Sequence, residues 1–311
     1  MPITRVLNVE SVRFGAPDLE TMRTFLLDFG LREAEATGDG TLRMRGTGGA
    51  PYIHETEQGD AGFRCVTLRV GSRADLEALA AADGVEIEPA TGPGGGEQVV
   101  LTDPDGYRVE VVAGKLRAAS LAAAAPQAWN VGEQRDREGV AKRLVSAPAN
   151  VLRLGHVVLA VTNMAATWAW WQSRFGLLVS DEVQAPNGDV AAMFVRCDCG
   201  SVAVDHHALN FAAIPGMPAT FHHAAFEVVD LDDLMVGNAF LGERGYVHDW
   251  GIGRHILGSQ VFDYWKDPFG HRVEHWTDGD YFDASVPGNV ADIPTMLGHQ
   301  WGPAAPADFV A

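Results

Sequence analysis

The feature that most constrains this chain is an internal repeat. Residues 9–31 (VESVRFGAPDLETMRTFLLDFGL) and 154–177 (LGHVVLAVTNMAATWAWWQSRFGL) share an alternating strand, Asp18 or Asn163 at a helix start, an aromatic helix and an F-G-L exit. Residues 63–80 (FRCVTLRVGSRADLEALA) and 221–240 (FHHAAFEVVDLDDLMVGNAF) pair in the same way, an alternating strand running into a capped amphipathic helix. A third pair, TDPDGYRVEVV (102–112) and KDPFGHRVEHW (266–276), shares a D-P-x-G turn and a final strand carrying a Glu. The repeats predict four βαβββ modules over 8–57, 63–113, 154–210 and 221–277, paired into two α+β domains. The expected divisions are a first domain at 1–113, a linker at 114–150, a second domain at 151–281 and a tail at 282–311. The Ala-rich linker reads as partly helical by propensity, and the tail, with Pro287, Pro294, Pro303 and Pro306, is not a fifth module.

Charge narrows the partners. The 23 Lys and Arg against 41 Asp and Glu leave −18, which repels a phosphate backbone and an anionic membrane surface, so nucleic acid is an unexpected partner. The longest apolar-looking stretch, 111–129, is interrupted by Lys115 and Arg117, and no spanning helix is expected. The N-terminus alternates like a strand and has no apolar signal core, which points to the cytoplasm. Cys65, Cys197 and Cys199 are too few for a disulfide framework and wrongly spaced for a zinc knuckle; they read as reduced thiols.

Histidine is concentrated in the second half: only His54 precedes residue 150, and ten follow. Aligning the modules puts His156 and His223 at the same place near the start of equivalent strands, with Gly155 opposite His222. Adjacent strand residues face opposite ways, so His223 is expected inside the cup and His222 outside it. Glu274, on the last strand of the fourth module, is the third candidate. Two imidazoles and one carboxylate make a facial set that leaves coordination positions open, the arrangement non-heme Fe(II) oxygenases use. The equivalent places in the first half hold Ser11, Cys65 and Glu110, so that half is expected to keep the fold without the ligands.

The motifs LGHVVL (154–159), DHHALNF (205–211), FHHAAFEV (221–228) and GRHILGSQVFDYWKDPFGHRVEHW (253–276) resemble those of type I extradiol dioxygenases of the vicinal oxygen chelate superfamily. Asp263 departs from the pattern, which prefers an apolar residue there. The resemblance covers about residues 8–281 in architecture and implies a vicinal oxygen chelate, glyoxalase-like fold. It implies His156, His223 and Glu274 as metal ligands, with Fe(II) expected and Mn(II) as the less common choice. It implies His206 as the histidine beside the metal that serves as proton donor, with His207 as its rival because the doublet leaves the register open. It implies His255 as the histidine that hydrogen-bonds the substrate oxygen, and Tyr264 as the tyrosine against the catecholate. Substrates would be a substituted catechol and O2, the product a muconic semialdehyde, and the assembly a homo-oligomer. Two other readings use the same modules: a metal-dependent isomerase or epimerase like the glyoxalases, and a non-catalytic small-molecule binder. The tail, with His299 and Trp301, is expected to cover the mouth of an apolar pocket.

Overall fold

The computed structural model describes residues 1–309 except Ala124, Gln127 and Pro215. Val310 and Ala311, the end of the expected tail, and Ala124 and Gln127 of the expected linker lie outside the described residues. The first half runs β1 (Val6–Ala16), α1 (Leu19–Asp28), β2 (Arg32–Glu33), β3 (Leu42–Arg45), β4 (His54–Gln58), β5 (Gly62–Val70), α2 (Arg73–Asp83), β6 (Glu88–Pro89), β7 (Glu97–Thr102) and β8 (Arg108–Ala113). The second runs β9 (Arg153–Ala160), α3 (Met164–Phe175), β10 (Leu178–Gln184), β11 (Val190–Arg196), β12 (Val204–Asp205), β13 (Leu209–Ala212), β14 (Thr220–Glu227), α4 (Leu231–Glu243), β15 (Val247–His255), β16 (Val261–Lys266) and β17 (Arg272–Thr277). It continues with β18 (Tyr281–Phe282), β19 (Asn289–Asp292), α5 (Ile293–Leu297) and β20 (His299–Trp301).

The repeat is visible in the sheet order. The first sheet is β2-β3-β4-β1-β5-β8-β7-β6, and the second contains the matching series β10-β11-β13-β9-β14-β17-β16-β15. In each, the first strands of two modules lie antiparallel at the centre, β1 against β5 and β9 against β14. This is the α+β fold of paired βαβββ modules that the repeats predict. Local chemistry supports it: Asp18, Asn163 and Asp230 accept backbone hydrogen bonds at helix N-termini. In the two D-P-x-G turns, Asp103 and Asp267 each accept from the amides two and four residues on, with Gly106 and Gly270 at φ 88° and 90°. Helix faces pack on the outer sides of the sheets, and one continuous apolar cluster, including Phe14, Phe25, Trp171, Phe175 and Phe226, joins the halves.

Two expectations change. Residues 114–150 carry no helix among those described. Their amides are used by the first half instead: Leu116 donates to Gly94 O, Ala118 to Gly49 O and Leu121 to Thr47 O, and Pro126 and Pro148 interrupt any helical run. The tail, in turn, is part of the second sheet. Its strands β19 and β20 cover the two edges, pairing with β10 and β15.

Candidate metal centre

The centre is built on two β-bulges. Between β9 and β14, Phe221 pairs with Leu159 and His223 with Val158, so His222 is the extra residue on β14. Further along, Ala225 pairs with His156 and Phe226 with Leu154, making Gly155 the extra residue on β9. The first half repeats both irregularities at the aligned positions: Glu10 is skipped between Val9 and Ser11, and Arg64 between Arg13 and Phe14's partners Cys65 and Phe63. Bulges thus precede His156 and His223 in space as well as in alignment. Gly155 has to be small, since a Cβ there would lie 2.5 Å from Trp276 Nε1.

Register then brings the three candidate ligands together. Ala225 on β14 is paired with His156 on one side and Glu274 of β17 on the other, so all three share a face, with His223 two residues earlier on it. The Ala225 methyl leaves room between its larger neighbours. His156 Nε2 and His223 Nε2 lie 3.3 Å apart, and Glu274 Oε2 is 3.3 and 3.4 Å from them. Among the described residues this is the one group of His, Cys, Asp or Glu with metal-ligand geometry.

All three side chains are buried, and among the described residues neither Glu274 carboxylate oxygen has a partner of good hydrogen-bond geometry, although the Tyr264 hydroxyl is close by. Burial pushes the Glu274 carboxyl well above its usual range and the His156 imidazole down to about 3. An unpaired buried carboxylate between two neutral imidazoles is costly alone and is resolved by a divalent cation, so these residues fit one.

Two of the candidate ligands, His156 and His223, line a cavity of about 510 Å³. His207, His255 and Tyr264 line it, with Val158, Phe194, Ile214, Met217 and Leu257 among its apolar walls. His255 Nε2 is 3.0 Å from the Tyr264 hydroxyl, and the His255 ring stacks on Phe262. Burial holds His255 down to about 3 and Tyr264 well above its usual range, so both are neutral hydrogen-bonding groups.

The 206–207 doublet separates by orientation. His207 lies against His156, with ring centroids 4.0 Å apart, and lines the cavity. His206 turns away, with Nε2 2.7 Å from Asp181 Oδ2, and is absent from the lining. By position, then, it is His207 of the doublet that reaches the cavity.

His222 is also corrected. The bulge breaks the alternation that would send it outward, and it lines the cavity beside His223. Its Nδ1 is 2.6 Å from His223 Nδ1 and its Nε2 is 2.8 Å from the Phe309 carbonyl oxygen, which also accepts from Arg272 Nη1 at 2.9 Å. Arg272 Nη1 also lies 2.9 Å from His222 Nε2, so the guanidinium, the Phe309 carbonyl and the His222 ring form one polar cluster behind His223. The tail does reach the mouth, though through Ile293, Met296, Leu297 and Phe309 rather than His299 and Trp301. The 293, 296, 297 spacing was the available signal. Asp263, the departure from the family pattern, lies on the far side of β16. It is satisfied there by His248, Asn238 and Trp265.

Residues 153–275 match the family model of the Glyoxalase/Bleomycin resistance protein/Dioxygenase superfamily. This segment is similar to domains of that superfamily. The whole chain is similar to Metapyrocatechase 2 of Cupriavidus necator, at 29% identity over 310 residues, 99% of this chain and 93% of the relative. In structure it is similar to the homoprotocatechuate 2,3-dioxygenase of Brevibacterium fuscum, in an anaerobic complex with 3,4-dihydroxyphenylacetate. That match has a TM-score of 0.80 at 18% identity and covers 99% of this chain and 92% of the other. It is also similar to a Mn(II)-bound glyoxalase from Novosphingobium aromaticivorans, with a TM-score of 0.77 at 24% identity, covering 97% and 93%. The vicinal oxygen chelate fold is thus common to the chain and to relatives of more than one chemistry. Among the described residues no helix is long and apolar enough to cross a membrane.

Proposed function

We propose that the protein is an extradiol dioxygenase that inserts both atoms of O2 into a catechol bearing an uncharged apolar substituent, giving a muconic semialdehyde-type product. The observation that carries this reading is the triangle of His156, His223 and Glu274 opening onto an apolar cavity in which His207, His255 and Tyr264 surround the same floor. His156, His223 and Glu274 would hold Fe(II), with Mn(II) as the alternative. Such an ion, when bound, acidifies a catechol hydroxyl and provides the open positions at which catechol and O2 meet.

The chain's own residues do the rest. Tyr264 and His255, already hydrogen-bonded to each other, are placed to hold the ring oxygens. His207, neutral through burial, is placed at the face of the site nearest His156, where a group that can exchange a proton is needed for O–O cleavage. Val158, Phe194 and Leu257 exclude water, while Ile293, Met296 and Leu297 provide apolar surface for a substituent. No Lys or Arg is among the lining residues, so a carboxylate on the ring would enter without a counter-charge.

The test is anaerobic reconstitution with Fe(II), followed by oxygen uptake and appearance of a yellow ring-cleavage product over a panel of catechols. Alkyl- and aryl-catechols are expected to be cleaved with higher kcat/KM than carboxylated ones. Absence of oxygen uptake with every catechol, with the metal bound, would leave the isomerase reading instead.

A further inference from the structure

The 206–207 doublet is the near end of a hydrogen-bonded chain that terminates on a buried carboxylate. Asp181 lies on β10 with Oδ2 2.7 Å from His206 Nε2. Its Oδ1 accepts from Asn289 Nδ2 at 2.8 Å, and Asn289 is its direct partner in the β10–β19 ladder. The other ring nitrogen of His206, Nδ1, is 3.1 Å from His207 Nδ1. The main chain of His206 is held on both sides, its amide donating to Asp280 O at 2.9 Å and its carbonyl accepting from Ser180 Oγ. Rings pack around the chain as well: Phe194 against both histidines and Phe282 against His206.

With both imidazoles uncharged, a chain that ends on a carboxylate has one polarity. Hydrogen bonds from His206 and Asn289 hold the Asp181 carboxyl below its usual range, so it is an ionised acceptor. His206 then carries its hydrogen on Nε2 and offers Nδ1 as an acceptor. His207 must donate from Nδ1, which leaves its Nε2 bare, and Nδ1 is the one atom of that ring in a hydrogen bond among the described residues. Free neutral imidazole prefers the opposite tautomer, so the arrangement needs the Asp181–His206 pair to impose it.

We propose that Asp181 and His206 are positioning residues that fix His207 in the Nδ1–H tautomer and present its bare Nε2 to the cavity as a hydrogen-bond acceptor for a ligand hydroxyl. This rests on the reading above only in the identity of that hydroxyl, a catechol's. The β19 segment belongs to the device, because Asn289 holds the second oxygen of Asp181 and keeps the first turned toward His206.

The experiment reads the tautomer directly. Full-length protein with 15N-labelled histidine, loaded with a diamagnetic divalent ion (Zn(II)), is examined by long-range 1H–15N correlation. Wild type is expected to show His207 protonated at Nδ1 and bare at Nε2, and His207 protonated at Nε2 in wild type overturns the proposal by itself. His206→Gln offers one N–H toward Asp181 and one C=O toward His207, and is expected to keep the Nδ1–H signature. His206→Leu removes the acceptor and is expected to lose it. In the Fe(II) enzyme, kcat/KM for a catechol should fall by about 10- to 100-fold in His206→Leu at wild-type metal content, and recover to within about threefold in His206→Gln. Equal loss in both variants would mean that packing, not hydrogen-bond polarity, is what His206 supplies. A wild-type Nδ1–H tautomer without oxygen uptake on any catechol would sink the dioxygenase reading and leave the positioning intact; normal uptake with the other tautomer would do the reverse.

Discussion

Single residues decide whether the three ligands meet. Gly155 shows this most directly, because the bulge it forms aims His156 inward and its bare Cα lies against the Trp276 indole. Gly155→Ala forces either the indole or the bulge to shift, and metal affinity is expected to fall by at least about tenfold, with a lower Tm, in a metal titration and a thermal melt. His223→Ala and His222→Ala should differ in degree. The first removes a ligand and is expected to abolish metal binding. The second removes the ring in contact with the Nδ1 of His223 and is expected to weaken binding by about 10- to 100-fold; wild-type affinity in His222→Ala would mean that the 2.6 Å contact has no orienting role. The repeat singled out His156, His223 and Glu274 because equivalent modules place equivalent residues together. It misdirected His222 because alternation assumes an unbroken ladder, and one extra residue in a strand leaves no mark in a lone sequence.

At the scale of elements, the modules were legible where their signals are local: capping residues, D-P-x-G turns and strand alternation. The tail was not, because its pairing partners lie far away in sequence. Strands β19 and β20 join edges formed by β10 and β15, and nothing in 289–292 or 299–301 names those partners. The linker failed for a related reason, since helix propensity was overridden by amides spent on a neighbouring surface. These pairings separate two truncations. Ending the chain at Gly302 removes the Pro303 carbonyl that accepts from Trp250 Nε1 and the Phe309 carbonyl under His222, while both edge strands remain. The shortened protein is expected to fold, with a raised KM for apolar catechols and weaker metal binding. Ending it at Tyr281 also bares both sheet edges, and aggregation is expected in addition, measurable by light scattering. Unchanged KM and metal affinity at Gly302 would confine the tail to the edges.

At the scale of the whole molecule, the two halves solve the same electrostatic problem differently. Both sheets place a buried Glu at the matching point of the last module strand, Glu110 on β8 and Glu274 on β17. In the second half the residue opposite His223 is Val158, and among the described residues no Lys or Arg pairs with Glu274. In the first, the residue opposite Cys65 is Arg13, whose guanidinium grips Glu110 through two 2.9 Å hydrogen bonds and reaches Glu55 as well. Arginine there occupies the role that a cation is expected to fill in the other cup, while Ser11 and Cys65 replace the imidazoles. One divalent ion per chain is therefore expected from metal analysis, and two of comparable affinity would break the argument. Arg13→Met sharpens it. Removing the guanidinium leaves buried Glu55 with Arg43 and buried Glu110 with Arg108 as their remaining partners, which costs about 2 kcal/mol of stability, and because the cost belongs to the first sheet, the metal affinity of the second should remain within about twofold of wild type. A stability loss below about 1 kcal/mol would show that the arginine is not what keeps the carboxylates buried.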